Sequence, residues 1–271
     1  MQGLADFVPT EVKIEYINSL LKVGFDTIDF GSFVSPKAIP QMRDSAKVLE
    51  GLDLSTTSSK LLAIIANMRG AVDAAGFEAI QYLGFPLSIS ETFQQRNTNK
   101  SIIEALNELE QIQNLCKKTN KTLVVYLSMG FGNPYNEVFN EEIVTNFTSI
   151  MSTMGVKIVS LSDTIGIAQP DLIEKVFKTV ISEFPGMEIG AHFHSTPGTA
   201  IDKVEAAYQA GCRRFDGALK GYGGCPMAKD ELTGNIATEA MLSYFEAEQV
   251  DLNMDKNALN NALVTSLGVF K

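Results

Sequence analysis

The stretch Met187-Glu188-Ile189-Gly190-Ala191-His192-Phe193-His194 predicts a β-strand that ends in the only two histidines of the chain. Residues two apart on a strand point to the same face, so both imidazoles can bind one metal ion. The following Ser195-Thr196-Pro197-Gly198 ends the strand and opens a helix. The pair therefore lies at the carboxyl end of the strand, where α/β folds build their active sites. The alternative is a pair of ordinary strand histidines.

Short apolar runs alternate with longer amphipathic segments along the whole chain. We predict strands at Thr27–Phe30, Leu61–Ile65, Ala79–Gly84, Thr122–Leu127, Lys157–Leu161, Glu188–His194 and Arg214–Ala218. We predict helices at Thr10–Lys22, Ser101–Thr119, Glu141–Met154, Pro170–Phe184, Thr199–Gln209, Asn235–Gln249 and Met254–Leu267. This alternation indicates parallel strands joined by right-handed crossovers.

Parallel strands can form an open doubly wound sheet or a closed (β/α)₈ barrel. No G-x-G-x-x-G turn follows an early strand, which argues against a dinucleotide-binding sheet. Polar residues at the carboxyl ends of several strands favour the TIM barrel. We count seven strands where the barrel needs eight, and the chain opens with a loop that leads into a helix. We therefore expect an α/β TIM barrel that lacks its first strand.

Composition limits the class of protein. The chain has 271 residues, 45% of them hydrophobic, and no linker-like segment, so we expect one domain over residues 1–271. A net charge of −10 argues against nucleic acid or an anionic membrane as a partner. Three cysteines are too few for a disulfide framework, and no apolar stretch or leader pattern predicts export. We expect a cytoplasmic protein in a reducing compartment.

Five motifs carry a family resemblance. They are Phe33-Val34-Ser35-Pro36-Lys37 with Pro40-Gln41-Met42, Ser162-Asp163-Thr164-Ile165-Gly166, His192-x-His194, Gly223-Gly224-Cys225-Pro226 and Gly234-Asn235-Ile236-Ala237-Thr238-Glu239. As a set, in this order and at this spacing, they resemble 3-hydroxy-3-methylglutaryl-CoA lyase over essentially the whole chain. The resemblance implies a metal-dependent enzyme that cleaves hydroxymethylglutaryl-CoA into acetyl-CoA and acetoacetate. It also implies an acyl-CoA substrate and a homodimer.

The resemblance implies a metal site made of His192, His194 and Asn235. Two imidazoles with oxygen donors suit Mg²⁺ or Mn²⁺, and Zn²⁺ also tolerates them. Without the family, Asn235 at a predicted helix start is more simply read as an N-cap. The divalent cation would lower the pKa of the substrate hydroxyl and fix its orientation.

The resemblance also implies three catalytic residues, Cys225, Asp163 and Asp29. Cys225 lies on a glycine-rich loop that can close over the substrate, whereas Cys116 and Cys212 are interpreted as inert buried thiols. Asp163 can also be a helix-capping aspartate. The substrate-binding residues that we expect are Ser32, Ser128, Ser160, Thr164, Gly223 and Gly224.

The chain departs from the family pattern at two places. Family members begin with a strand that ends in an Arg-Asp pair, whose aspartate binds the metal, and no such pair precedes Met1-Gln2 here. Asp29 stands where the family carries glutamate, so the carboxylate reach is shorter by one methylene. A catalytically impaired relative, a related aldolase or an acyl-CoA condensing synthase therefore remain the alternative functions.

Overall fold

Parallel strands form a curled sheet in the order of the sequence. The computed structural model describes residues 1–4, 6–223 and 233–270. The strands on this path are β1 (Thr27–Ser32), β2 (Lys60–Ile64), β3 (Ile80–Ser88), β4 (Thr122–Ser128), β5 (Ile158–Asp163), β6 (Glu188–Ser195) and β7 (Arg214–Phe215). Each pairs in parallel with its neighbour, which confirms the predicted α/β architecture.

Helices separate and flank these strands. Their bounds are α1 (Thr10–Leu21), α2 (Ser45–Glu50), α3 (Met68–Ala75), α4 (Glu91–Thr98), α5 (Ile102–Thr119), α6 (Glu141–Met154), α7 (Pro170–Glu183), α8 (Ala200–Gln209), α9 (Thr238–Ala247) and α10 (Lys256–Val269). Two short 3₁₀ turns lie at Pro40–Met42 and Leu219–Gly221. Helix α5 begins with a complete capping box between Ser101 and Glu104. Within the described ranges, no helix has the length and apolar content that crossing a membrane requires.

The curled sheet is an open, incomplete barrel. Strand β7 is only two residues long, and within the described part of the chain no backbone pairing joins it to β1. A closed barrel of this class has eight strands. The open seam between β7 and β1 is the place where the missing strand of the predicted barrel would lie.

The two faces of the sheet differ in chemistry because alternate residues of each strand point to opposite sides. The outer face buries an apolar core against the helices, with Phe85, Leu127 and Phe193 among its members. The inner face carries a small apolar cluster of Leu62, Val124 and Ile158, with Tyr126 packed against it. Histidines and carboxylates lie beyond this cluster, on the inner face and at the carboxyl ends of the strands.

Glycine at position 190 leaves room for side chains from the two neighbouring strands, β5 and β7. A Cβ atom on Gly190 would lie 2.8 Å from Ser160 Oγ and 2.9 Å from Arg214 Cδ. The glycine in the strand that carries the histidines therefore makes room for Arg214 on β7.

The predicted helix Asn235–Gln249 is wrong at its beginning. Residues Gly234–Asn235 form a two-residue strand, β8, and helix α9 begins only at Thr238. Strand β8 pairs antiparallel with the end of β6, with Asn235 opposite His194. The N-cap interpretation of Asn235 is therefore also wrong, because its position is set by pairing with the histidine strand.

Candidate active site

His192 lies on the inner face of β6 with its ring held on two sides. Its Nδ1 atom is 3.1 Å from Asp216 Oδ2, just beyond the end of β7. The ring of Tyr126 packs edge-on against it, with centroids 5.2 Å apart. A carboxylate only accepts hydrogen bonds when ionised, so Nδ1 carries a proton in this contact. In the neutral ring, Nε2 is then the nitrogen that can bind a metal.

His194, two residues further along, is almost fully buried. Its Nδ1 atom lies 2.8 Å from the Thr164 carbonyl oxygen. Because a carbonyl oxygen only accepts, Nδ1 donates this hydrogen bond and Nε2 again carries the lone pair. Burial, followed by the nearby charges of His192 and Lys203, lowers the pKa of His194 to about 4. The ring is therefore neutral at physiological pH, which is the form that binds metals.

Asn235 completes this group from β8. It lies opposite His194 in the antiparallel pair. Its amide nitrogen donates to the Tyr222 carbonyl at 2.9 Å, which leaves the amide oxygen as an electron-pair donor. The two imidazole rings have centroids 5.4 Å apart at an angle of 64°.

The donor set fits a divalent cation in its chemistry, since two imidazoles and an amide oxygen from paired strands are neighbours here. Acceptors on both Nδ1 atoms are typical of metal-binding histidines, because they fix the tautomer and the orientation of the ring. Outside residues 5, 224–232 and 271, no three His, Cys, Asp or Glu side chains form a metal-binding group.

Asp163 lies at the end of β5 with both carboxylate oxygens engaged. Oδ1 accepts from the Ile167 amide at 3.0 Å, and Oδ2 accepts from the Ala168 amide at 3.1 Å. Lys203 of α8 donates to Oδ2 at 2.6 Å. The side chain is only 1% exposed. These contacts make Asp163 a residue that shapes the loop after β5, and its carboxylate has no free face for a substrate in this arrangement.

Asp29 lies on β1 and points to the inner face of the sheet. Loss of hydration among the surrounding protein atoms, and then the negative charge of Asp216, raise the pKa of Asp29 to about 7. Water still reaches the side chain through the open interior, since its residue is exposed. A carboxyl group with such a pKa can both take and release a proton near neutrality.

The predicted substrate-binding residues lie at several places around the strand ends. Ser160 is on the inner face of β5, with Oγ 3.4 Å from Asp216 Oδ2. Ser32 and Ser128 are buried at the ends of β1 and β4. Thr164 accepts a hydrogen bond from the Met129 amide at 2.8 Å through its hydroxyl.

The glycine-rich loop is only partly described. Gly223 has a left-handed backbone, with φ of 91°, and a Cβ there would lie 3.0 Å from the Asn235 amide nitrogen. This close approach explains why glycine stands beside the predicted metal site. Gly224 and Cys225 lie outside the described residues, and their proposed roles rest on the sequence.

The two other cysteines are buried, in agreement with their interpretation as inert thiols. Burial raises the pKa of Cys116 to about 11 and that of Cys212 to about 12. The Cys212 thiol donates to the Arg214 carbonyl at 3.1 Å. Neither cysteine has the depressed pKa of a reactive thiolate.

Sequence reasoning missed two residues that contact the histidines or their partners. Asp216 follows β7 directly, so the rule that found the other strand-end residues could also have found it. Lys203 gave no signal, because a lysine in an amphipathic helix is normally solvated.

The sequence matches known proteins over almost its whole length. The protein-family model described as HMGL-like matches residues 1–264. A hydroxymethylglutaryl-CoA lyase of Bacillus subtilis is 37% identical over 265 residues, covering 97% of this chain and 87% of that protein.

Solved structures agree with the sequence comparison. An HMG-CoA lyase of Acinetobacter baumannii, in complex with coenzyme A and 3-methylmalate, superposes with a TM-score of 0.89 at 32% identity. That comparison covers 97% of this chain and 85% of the other. The HMG-CoA lyase of Brucella melitensis gives a TM-score of 0.91 at 29% identity, covering 99% of this chain and 94% of the other.

Proposed function

Because this chain belongs to the HMGL-like family, we propose that it cleaves 3-hydroxy-3-methylglutaryl-CoA into acetyl-CoA and acetoacetate. In this reaction the tertiary hydroxyl loses its proton and becomes the ketone of acetoacetate. The carbon–carbon bond to the thioester arm breaks, and its electron pair stays on the acetyl-CoA carbon. A proton then quenches that carbanion.

One observation supports this proposal above the others: both imidazoles have Nδ1 hydrogen-bonded to an acceptor, which makes Nε2 the nitrogen available to a metal. The acceptors are Asp216 for His192, at 3.1 Å, and the Thr164 carbonyl for His194, at 2.8 Å. An acceptor on Nδ1 is typical of metal-binding histidines, because it fixes the tautomer and the orientation of the ring.

His192, His194 and Asn235 would hold a divalent cation, with Mg²⁺ or Mn²⁺ as the expected ions and Zn²⁺ as a third candidate. When bound, such an ion supplies Lewis acidity that favours loss of the substrate hydroxyl proton. The chain itself supplies a neutral imidazole at His194, since the pKa of this residue is lowered to about 4. Protons therefore do not compete for the electron pair of His194 near neutral pH.

Asp29 and Cys225 are the proposed proton-transfer residues. Asp29 has a pKa raised to about 7 and points to the same inner face as His192. We assign it the removal of the hydroxyl proton. We assign the donation of a proton to the carbanion to Cys225, which lies outside the described residues. Asp163 acts in this scheme by holding the loop after β5.

The acyl-CoA substrate would enter from the carboxyl ends of the strands. We propose that this site is lined by Ser32, Ser128, Ser160 and Thr164, and that Gly223 and Gly224 also bind the substrate. The coenzyme A complex of the Acinetobacter baumannii lyase supports this class of partner.

The test is an assay of two reactions in the presence of Mg²⁺ or Mn²⁺. Cleavage of hydroxymethylglutaryl-CoA is followed as acetoacetate, and condensation of acetyl-CoA with 2-oxo acids is followed as free thiol. We expect cleavage and no condensation. Asn235→Ala should reduce cleavage at least tenfold. Loss of a metal ligand, or of a group that holds one, weakens metal binding by about 10- to 100-fold or more.

Asn260→Ala is the matched control, because Asn260 lies on the exposed face of α10. It should keep the parent activity. Condensation without cleavage would establish a synthase instead. Absence of both activities in a folded, metal-binding protein would identify a catalytically impaired relative.

A homodimer and a cytoplasmic location remain proposals. Free, buried Cys116 and Cys212 support a reducing compartment. Light scattering on the purified chain measures the oligomeric state directly, and a monomer at assay concentration would contradict the dimer.

A further inference from the structure

Lys203 of α8 is a buried lysine behind the histidine strand. Its side chain is 3% exposed. The ammonium donates to Asp163 Oδ2 at 2.6 Å, to the Gly166 carbonyl at 2.8 Å and to the His194 carbonyl at 3.1 Å. An ammonium has three donors, so all three are satisfied by these contacts.

The three acceptors belong to two neighbouring segments. Asp163 is the last residue of β5, Gly166 lies in the turn that follows, and His194 lies on β6. The same turn is closed by Asp163, whose carboxylate accepts the amides of Ile167 and Ala168. Lys203 therefore fastens this turn to the backbone of the residue that we propose as a metal ligand.

The hydrogen bond that orients the His194 ring lies close to the contacts of Lys203. Thr164, whose carbonyl accepts from His194 Nδ1 at 2.8 Å, stands between Asp163 and Gly166. Lys203 thus binds both the turn that carries the Thr164 carbonyl and the backbone of His194. Removal of the ammonium would release the turn and leave the Asp163 carboxylate buried without its counter-charge.

We propose that Lys203 is a positioning residue that holds the Thr164 carbonyl against His194 Nδ1 and so keeps His194 Nε2 free for a ligand. This inference rests on the proposed function, because the free Nε2 matters only if it binds a metal. A purely structural ion pair would stabilise the fold without affecting the tautomer of His194. The tautomer is therefore the decisive readout.

The experiment uses the whole chain, labelled with ¹⁵N-histidine and free of metal. Only two histidines are present, so their signals are assignable with single alanine variants. The parent should show His194 protonated at Nδ1 alone. Lys203→Met should show a mixture of tautomers, and its Mn²⁺ affinity should fall by about 10- to 100-fold, as for other changes behind a metal ligand.

Lys175→Met is the matched control. Lys175 forms an exposed ion pair with Glu141, 2.8 Å long, between α7 and α6. It should keep the parent tautomer and the parent Mn²⁺ affinity. If Lys203→Met does not fold, the double variant Asp163→Asn/Lys203→Met decides, because it removes both buried charges together and still lacks the ammonium.

The outcomes separate this inference from the proposed function. A single Nδ1-protonated tautomer and unchanged Mn²⁺ affinity without the ammonium would overturn the role of Lys203. If the parent itself binds no Mn²⁺, the metal-dependent function fails, while the tautomer spectra still decide whether Lys203 orients His194.

Discussion

His192 Nδ1 and Asp216 Oδ2 lie 3.1 Å apart, which joins the end of β6 to the residue after β7 across the inner face of the sheet. The carboxylate fixes which ring nitrogen of His192 carries the proton. It also lies 3.4 Å from Ser160 Oγ. Asp216 therefore connects β5, β6 and β7 through its contacts with Ser160 and His192.

Asp216→Asn should weaken Mn²⁺ binding by about 10- to 100-fold, because a neutral amide supports the ligating imidazole less well than a carboxylate. Isothermal titration with Mn²⁺ measures this change. Asp73→Asn, on the exposed side of α3, is the control and should leave the affinity unchanged. Equal affinities for Asp216→Asn and the parent would show that His192 is oriented by other contacts.

Asp29 should make the fold less stable as pH rises. Its pKa is raised from 3.8 to about 7 on folding, first through loss of hydration and also through Asp216. The folded state therefore binds more protons between these values, and its stability falls over that window as pH increases. Asp29→Asn should remove this dependence, so the melting temperature should gain more at pH 8 than at pH 4.

The open interior limits the size of that gain, because water reaches Asp29. Melting curves at both pH values provide the test, with Asp73→Asn as the control for a simple charge change. A gain of equal size at both pH values would mean that Asp29 titrates normally.

Cys116 and Cys212 should resist thiol reagents in the native protein. Both are buried, with pKa values raised to about 11 and about 12, so little thiolate forms at neutral pH. Titration with a chromogenic disulfide should modify at most one thiol in the native chain and three after denaturation, since the sequence has three cysteines. Rapid modification of two or more native thiols would contradict the burial.

Gly190→Ala should destabilise the protein by about 1–3 kcal/mol, as expected for overpacking of a close contact. The added Cβ would lie 2.8 Å from Ser160 Oγ and 2.9 Å from Arg214 Cδ, so these two side chains must shift. Gly186→Ala is the matched control, because a Cβ there meets no atom within 4 Å. Urea unfolding compares the two variants, and similar midpoints would show that the inner face can relax around a methyl group.

The main strands and most longer helices follow from the sequence because each has a clear apolar period and a turn signal. Helices α2, α3 and α4 were not predicted, since six to eight residues give too few turns for a period to show. Strand β8 could not be predicted either, because its two residues are strand only through pairing with β6. Local signals do not reveal such tertiary pairing.

The histidine pair was found because a strand brings residues two apart to one face. The groups that orient the two rings come from distant parts of the chain, Thr164 on the loop after β5 and Asp216 after β7. Only the packing of neighbouring strands brings these acceptors to the rings. The contacts of Lys203 likewise depend on its burial, which the amphipathic pattern of α8 does not predict.

We propose that His192, His194 and Asn235 hold one divalent cation. Diffraction from crystals soaked in Mn²⁺, recorded on both sides of the manganese absorption edge, measures this most directly. The account predicts one anomalous peak about 2.2 Å from Nε2 of both histidines and from Oδ1 of Asn235, within the range of metal–nitrogen and metal–oxygen bonds. A fully soaked crystal with no peak there, or with its only peak elsewhere, would contradict it.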